Sequence, residues 1–311
     1  MKKIISHNAI FANLLSDWLS IKYFKTFKIT NQLTNKNDFL ITQRNKKMFL
    51  SVHTLWDNRE DVMSEIEKNI NEKTQQLNNA NIIWPPEKSD QFLNDNKSII
   101  IDKVINGVKG LDFGDYREMR IPIEATLSKT EDDGAYMAIS GGLSKIWTKI
   151  SAGVQGVFQL DGRNYDRLPS ELAEEKIIIE RIQEAAKLLK TGEASFITID
   201  EYWPINNVTA NFNENNQIIL ATGNKTYNPK DGPIMRKRIR DILNQFTKKD
   251  NDANKYDATI LFLINSSNKE DDVVSSSLKG INPKLHEGID MIIIVNAGII
   301  SILKKNEKID L

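Results

Sequence analysis

The side chains best placed to do chemistry together lie in NDFLITQRNKKMFLSVHTLWD, residues 37–57. Asp38 opens one strand-like run, and Ser51 and His53 alternate along the next. A carboxylate and an imidazole on neighbouring strands could hold a metal or move a proton, and Asp17 lies upstream as a further acid. A second acidic set is Asp112, Asp115, Glu118 and Glu124. Glu118 and Glu124 are an even number of residues apart, so they share one face of an extended strand, although Pro122 lies between them. Paired acids could bind magnesium or do acid–base work. Ordinary sheet is the competing reading of both sets. An acid often opens a strand after a polar turn, His53 suits a half-buried position, and residues 115–129 read as an edge strand decorated with charge.

Cations form two groups. The first fifty residues hold nine bases (Lys2, Lys3, Lys22, Lys25, Lys28, Lys36, Arg44, Lys46 and Lys47) against Asp17 and Asp38, an excess of seven. A patch of this size could neutralise several phosphates in salt-sensitive, sequence-blind binding. The second group is Arg236, Lys237, Arg238 and Arg240, on a helical run after Pro233, with Lys225, Lys230, Lys248 and Lys249 nearby. A solvated face is the plainer explanation of either group.

Several chemistries are excluded. The chain has no cysteine, which removes disulfides, thiol nucleophiles and iron–sulfur clusters. With only His7, His53 and His286 there is no histidine-rich metal site, and His286 has no second histidine at helical spacing. SGGLSK, residues 140–145, lacks the glycine-to-lysine spacing of a phosphate loop, and Gly-x-Ser-x-Gly does not occur. Trp147, Phe158, Tyr165, Tyr202 and Trp203 could form a stacking platform, though core or interface is the commoner use of such residues.

The elements that must position these groups follow from hydrophobic period. Residues 9–24 repeat apolar positions at helical spacing on one face. KTFKIT, NDFLITQ and MFLSVHTLW read as strands, with a turn at Asn45-Lys46-Lys47. Asp57 or Asn58, with Glu60, would cap the next helix, which carries Val62, Met63, Ile66, Ile70 and Leu77. IIWPP is a short strand stopped by prolines, and residues 87–96 read as a loop or linker. From Glu118 alternating segments predict an antiparallel unit, with a short helix at 143–150. A helix from Ser170 to Gly192, strands in ASFITIDEYWPI and NQIILATGN, and a helix opened by Pro233 follow. ATILFLIN and MIIIV read as strands covered on both sides, and Asn296-Ala297-Gly298 turns the chain back into IISIL.

In this order of elements, with Asp38 in place, residues 9–79 resemble the core of the PD-(D/E)xK nuclease superfamily. That resemblance implies a divalent metal held by an Asp and by the Glu of a Glu-x-Lys on the next strand, with the lysine orienting or polarising. Asp38 matches the Asp, Ser51 falls at the second acid and His53 at the lysine. Some members add an acid on the preceding helix, where Asp17 lies. Serine is a poor magnesium ligand, and imidazole prefers softer metals. The resemblance therefore implies a site without its catalytic partners.

The expected fold class is α+β or mixed α/β. It has an N-terminal α-β-β-β-α unit in residues 1–86, a central antiparallel β unit, and a C-terminal mixed sheet with helices. The latter two form a body at 97–311, divided near 170–195. Acids and bases balance at 42 each, so neither a basic coat nor an acidic mimic is the global design. A soluble cytoplasmic protein is expected, since the most apolar run, 289–303, is short for a membrane helix and contains Asn296 and Gly298. Frequent lysine, asparagine and isoleucine suggest a bacterial or phage genome. The expected function is a non-catalytic binding or assembly subunit in DNA processing or defence. It would contact a protein partner, a second copy or DNA, the last through Lys25, Lys28, Arg44, Lys46, Lys47, Arg236, Lys237 and Arg240, and would need no cofactor. One alternative is a magnesium-dependent nuclease with an atypical site, using Asp17, Asp38 and His53 with Glu118 or Glu124 as further metal ligands. The other is a purely protein-binding adaptor or inhibitor.

Overall fold

The computed structural model describes residues 7–55, 61–74, 79–209, 217–222, 232–247, 255–265, 276 and 278–307. The expected caps Asp57, Asn58 and Glu60 lie outside these residues, as do Leu77, Lys2, Lys3, Lys225, Lys230, Lys248 and Lys249. The chain opens as α1 (His7–Tyr23), β1 (Lys28–Gln32), β2 (Asp38–Gln43), β3 (Lys46–Thr54) and α2 (Asp61–Lys73), the α-β-β-β-α order read from the sequence. There follow β4 (Ala80–Ile83), α3 (Asp90–Asp95), α4 (Lys97–Gly107), β5 (Tyr116–Glu131), β6 (Ala135–Ile139), a 3-10 turn at Gly142–Ile146, α5 (Trp147–Ser151) and β7 (Gly156–Asp161). The last part is α6 (Leu172–Leu188), β8 (Ala194–Val208), β9 (Ile218–Leu220), α7 (Gly232–Thr247), β10 (Ala258–Asn265), β11 (Met291–Asn296) and β12 (Ile299–Lys305).

Two mixed sheets result, ordered β1-β2-β3-β10-β11-β12 and β6-β7-β5-β8-β4-β9. β3 forms a parallel ladder with β10, from Met48 opposite Ala258 to Thr54 opposite Ile264, so both ends of the chain share one sheet. One compact unit gathers residues 1–87, 105–117 and 204–311, and a second gathers 88–104 and 118–203.

Within the first unit, α1 is buried almost all round rather than along a single face. Phe11, Leu15 and Leu19 belong to one cluster with Phe39, Ile41, Leu50 and Val52 of the first sheet and with Ile82, Trp84 and Ile219 of the second. The buried polar side chains of α1 therefore need partners, and Ser16 donates to the Phe27 carbonyl. β10 and β11 are also covered on both faces, as their unbroken apolar runs predict. Ile260 and Phe262 point into the α1 cluster. Leu261 and Leu263 point into a second cluster with Met235, Ile239 and Leu243 of α7.

The β2–β3 and β11–β12 turns each contain two residues. Gln43 pairs with Lys46, so the β2–β3 turn is Arg44-Asn45, and Lys46 and Lys47 already belong to β3. Arg44 takes φ of 53°. Asn296 pairs with Ile299 around Ala297 (φ 48°) and Gly298 (φ 92°), a pattern that matches the twist of the strands.

In the second unit the expected linker at 87–96 is partly helical. Ser89 caps α3 by accepting the Phe92 N–H. β5 lies between β7 and β8, so it is not the edge strand its charges suggested. Its ladder with β7 covers Thr126–Glu131, beyond Pro122. That ladder is antiparallel, whereas β6 joins β7 in parallel, which departs from a purely antiparallel unit.

Candidate functional site

Strand alternation sorts the first sheet's side chains into two faces. Phe39 and Ile41 of β2, with Met48, Leu50 and Val52 of β3, point at α1. Asp38, Ser51 and His53 therefore share the opposite face, the one packed by α7, and Asp38 stands directly opposite Ser51. The register brings the three together. The Ser51 hydroxyl donates to Asp38 Oδ1 at 2.7 Å, and Ser51 Oγ lies 2.9 Å from His53 Nε2.

The proton order follows. A hydroxyl that gives its hydrogen to a carboxylate can only accept from its other neighbour, so His53 Nε2 carries a proton and donates to Ser51. The hydroxyl sits between acid and imidazole. A nucleophilic serine needs the imidazole in the middle, with its unprotonated nitrogen towards the hydroxyl. All three residues are buried, none more than 7 % exposed.

This donor set does not suit magnesium, which asks for several hard oxygen ligands in near-octahedral order. Among the described residues this cluster has one carboxylate, and one of its oxygens accepts from Ser51. Among the described residues no three His, Asp or Glu side chains form a group able to hold a metal ion. Asp17 lies on α1, across the sheet from Asp38. Its carboxylate accepts the Thr209 backbone N–H and hydroxyl, each at 2.9 Å, and burial pushes its pKa up to about 6. Glu118 and Glu124 belong to the second unit, where Glu118 accepts the Ser170 N–H. Asp17 thus does not share a centre with Asp38.

Part of the basic group does converge. Lys28 is opposite Thr42, and Thr42 is opposite Lys47, so both lysines flank one threonine on one face. Arg44 projects from the adjoining turn, and Lys46 begins β3 on the other face. Lys28, Arg44 and Lys47 are exposed, and Lys46 and Lys25 are half-buried. One acid enters this end, since Asp257 accepts the Lys47 backbone N–H at 2.7 Å. Arg236, Lys237 and Arg240 are exposed on α7. The end of α7 that touches the hairpin is Phe246, against Phe49 at 5.6 Å. Ten residues of helix rise, roughly 15 Å, separate Arg236 from that contact.

The sequence reading missed Lys88 and Glu201 of the second unit, whose side chains are 2 % and 0 % exposed. Lys88 Nζ donates to Glu201 (2.9 Å), to Asp166 (2.7 Å) and to the Asn164 carbonyl, and lies 5.4 Å from the centre of the Phe92 ring. Glu201 also accepts the Asp166 and Arg167 N–H groups and the Trp203 indole N–H. A usable signal existed, because Glu201 shares strand parity with Ile197, Ile199 and Trp203 and must point inward with them. Nearby is a cleft of about 570 Å³, with Glu124, Asp95, Asn96 and Thr198 among its lining residues. Of the proposed stacking aromatics, Phe158, Tyr165, Tyr202 and Trp203 are buried and Trp147 is exposed.

No protein-family model, curated protein or solved structure matches this chain. Among the described residues no helix is long and apolar enough to cross a membrane.

Proposed function

We propose that the protein is a non-catalytic binding or assembly subunit whose first unit contacts the DNA backbone through the β1–β3 hairpin end. The observation that carries this reading is the convergence of Lys28, Arg44, Lys46 and Lys47 at one end of a rigid three-stranded ladder. Cations on a ladder are held in place before binding, which lowers the ordering cost of a phosphate contact. The non-catalytic part is supported by the Asp38–Ser51–His53 arrangement, which among the described residues has one carboxylate and has its hydroxyl in the middle position. The role fits the degenerate nuclease-like core that the N-terminal resemblance implies, in a DNA-processing or defence setting of bacterial or phage origin. No cofactor is required.

The test is fluorescence anisotropy with labelled duplex DNA over a salt series. Four phosphate contacts predict an affinity loss of about a hundredfold for a fourfold rise in salt. The Lys46→Glu/Lys47→Glu variant should bind more weakly and show a shallower slope. No retention of DNA at low salt would remove nucleic acid from the reading and leave a protein partner. Magnesium- or manganese-dependent cleavage of plasmid or single-stranded DNA, lost in Asp38→Ala, would overturn the non-catalytic assignment.

A further inference from the structure

Among the described residues the first unit holds three sheet edges: β1 and β12 of the first sheet and β9 of the second. An open edge exposes backbone donors and acceptors to any passing strand, so stable monomers blunt it. Two of these edges are blunted. β9 is sealed by α2: Asn71 exchanges a pair of hydrogen bonds with the N–H and C=O of Ile218, each at 2.8 Å, and Glu67 accepts the Leu220 N–H at 2.7 Å. β1 is polar and exposed at four of five positions, opens on Lys28, and carries an irregular register between Ile29 and Asn31.

β12 ends on Lys304 and Lys305 and its register shifts beyond Ile302, so its regular stretch is Ile299–Ile302, and among the described residues no strand pairs with the outer side of that stretch. Ile300 and Ile302 pack against the α1 cluster and Leu303 against the α7 cluster, each only partly covered. Ile299 is 62 % exposed. Both apolar layers of the sheet therefore stop short at this strand. Backbone direction follows from the turn. Asn296 and Ile299 close a two-residue hairpin and form its hydrogen-bonded pair, so Ile300 opposite Val295 and Ile302 opposite Ile293 turn their N–H and C=O groups outward.

We propose that β12 pairs antiparallel with β12 of a second copy, about a two-fold axis at Ser301. The outward groups of Ile300 then meet those of Ile302 in the mate, in both directions. Charge selects this orientation. Lys304 and Lys305 end the strand, and parallel pairing would set each beside its own copy. In the antiparallel arrangement the two Lys304 residues are six positions apart along the ladder, about 20 Å. The same surface serves both partners, as a closed two-fold dimer requires. One seven-residue strand forms a small interface, so the dimer is expected to dissociate in the micromolar range.

The absence of cysteine makes the test direct. In the proposed register the Ser301 residues form a non-hydrogen-bonded pair with Cα atoms about 4.5 Å apart, within disulfide range. Sedimentation velocity of the full chain should show a concentration-dependent dimer. Ser301→Cys should cross-link it under mild oxidation, and Ile299→Lys should weaken it at least about tenfold while keeping the far-ultraviolet spectrum. A monomer throughout the micromolar range would overturn the proposal. So would a dimer that folded Ser301→Cys fails to cross-link. If Ser301→Cys does not fold, Ile299→Lys decides: loss of the dimer supports the pairing, and an unchanged dimer overturns it.

Discussion

Asp17 is an acid held where water is scarce, and its two hydrogen bonds from Thr209 offset only part of that cost. Its folded pKa of about 6 exceeds the model-peptide value of 3.8, so the folded state binds the proton more tightly than the unfolded chain. The stabilisation that this difference provides is complete below about pH 4 and is lost as pH rises through about 6. Asp17→Asn keeps an acceptor for the Thr209 N–H and removes the titration. Relative to wild type, the variant should gain stability between pH 4 and pH 7, by up to about 3 kcal/mol. Urea unfolding at both pH values measures this, and parallel pH profiles would refute it. Lys88 and Glu201 make the complementary case, with buried charges that are fully paired. Lys88→Met leaves the Glu201 carboxylate buried without its cation and should cost about 3–5 kcal/mol, of which a second change, Glu201→Gln, should restore a large part. Additive losses in the double variant would show that the two residues do not act as a pair. Charge type at these positions was plain in the sequence. Burial was not, because Lys88 sits in a run, EKSDQFLNDN, whose only apolar residues are Phe92 and Leu93.

The elements were more legible than their partners. Period alone gave α1, the β2–β3 hairpin, α6, α7 and the β11–β12 turn, because each carries its own pattern of apolar spacing. Three local features misled. Arg44 adopts a left-handed conformation that glycine or asparagine more often takes, which moved the hairpin turn back by one residue. A short polar helix behind the Ser89 cap has too little apolar content to show. The charges on β5 suggested an edge, although its neighbours on both sides are strands. The turn at Ala297 gives a prediction at this scale. An alanine at φ 48° pays the left-handed steric cost of about 1–2 kcal/mol, which glycine avoids at a smaller entropic penalty. Ala297→Gly should therefore raise stability by about 0.5–1 kcal/mol, read as a higher urea midpoint with an unchanged slope. A lower midpoint would mean that the alanine methyl packs more favourably than its backbone is strained. Gly298 is not interchangeable in this way, because a Cβ there would come within 2.7 Å of Asn206 Oδ1.

For the molecule as a whole, a net charge of zero means that any attraction to DNA is local. Reversing Lys46 and Lys47 should accordingly reduce the salt slope by about two units rather than merely lower affinity at one salt concentration. An unchanged slope would place the contact elsewhere, with Arg236, Lys237 and Arg240 the next group to reverse. Sequence period could not reveal that β3 and β10 are neighbours, since nothing local links residues so far apart in the chain. That pairing has a consequence for how the protein is made. β10 occupies the middle of the first sheet, yet it leaves the ribosome roughly two hundred residues after β3. At about 5–20 residues per second, the N-terminal hairpin waits some 10–40 s for its central neighbour. Throughout that interval β3 has an unpaired side, with Met48, Leu50 and Val52 alternating along it. Synthesis that stops before residue 258 would release a chain with a permanent apolar strand edge. Such a nascent or truncated product is a natural client for holding chaperones, and its yield should respond to elongation rate more than to the stability of the finished fold.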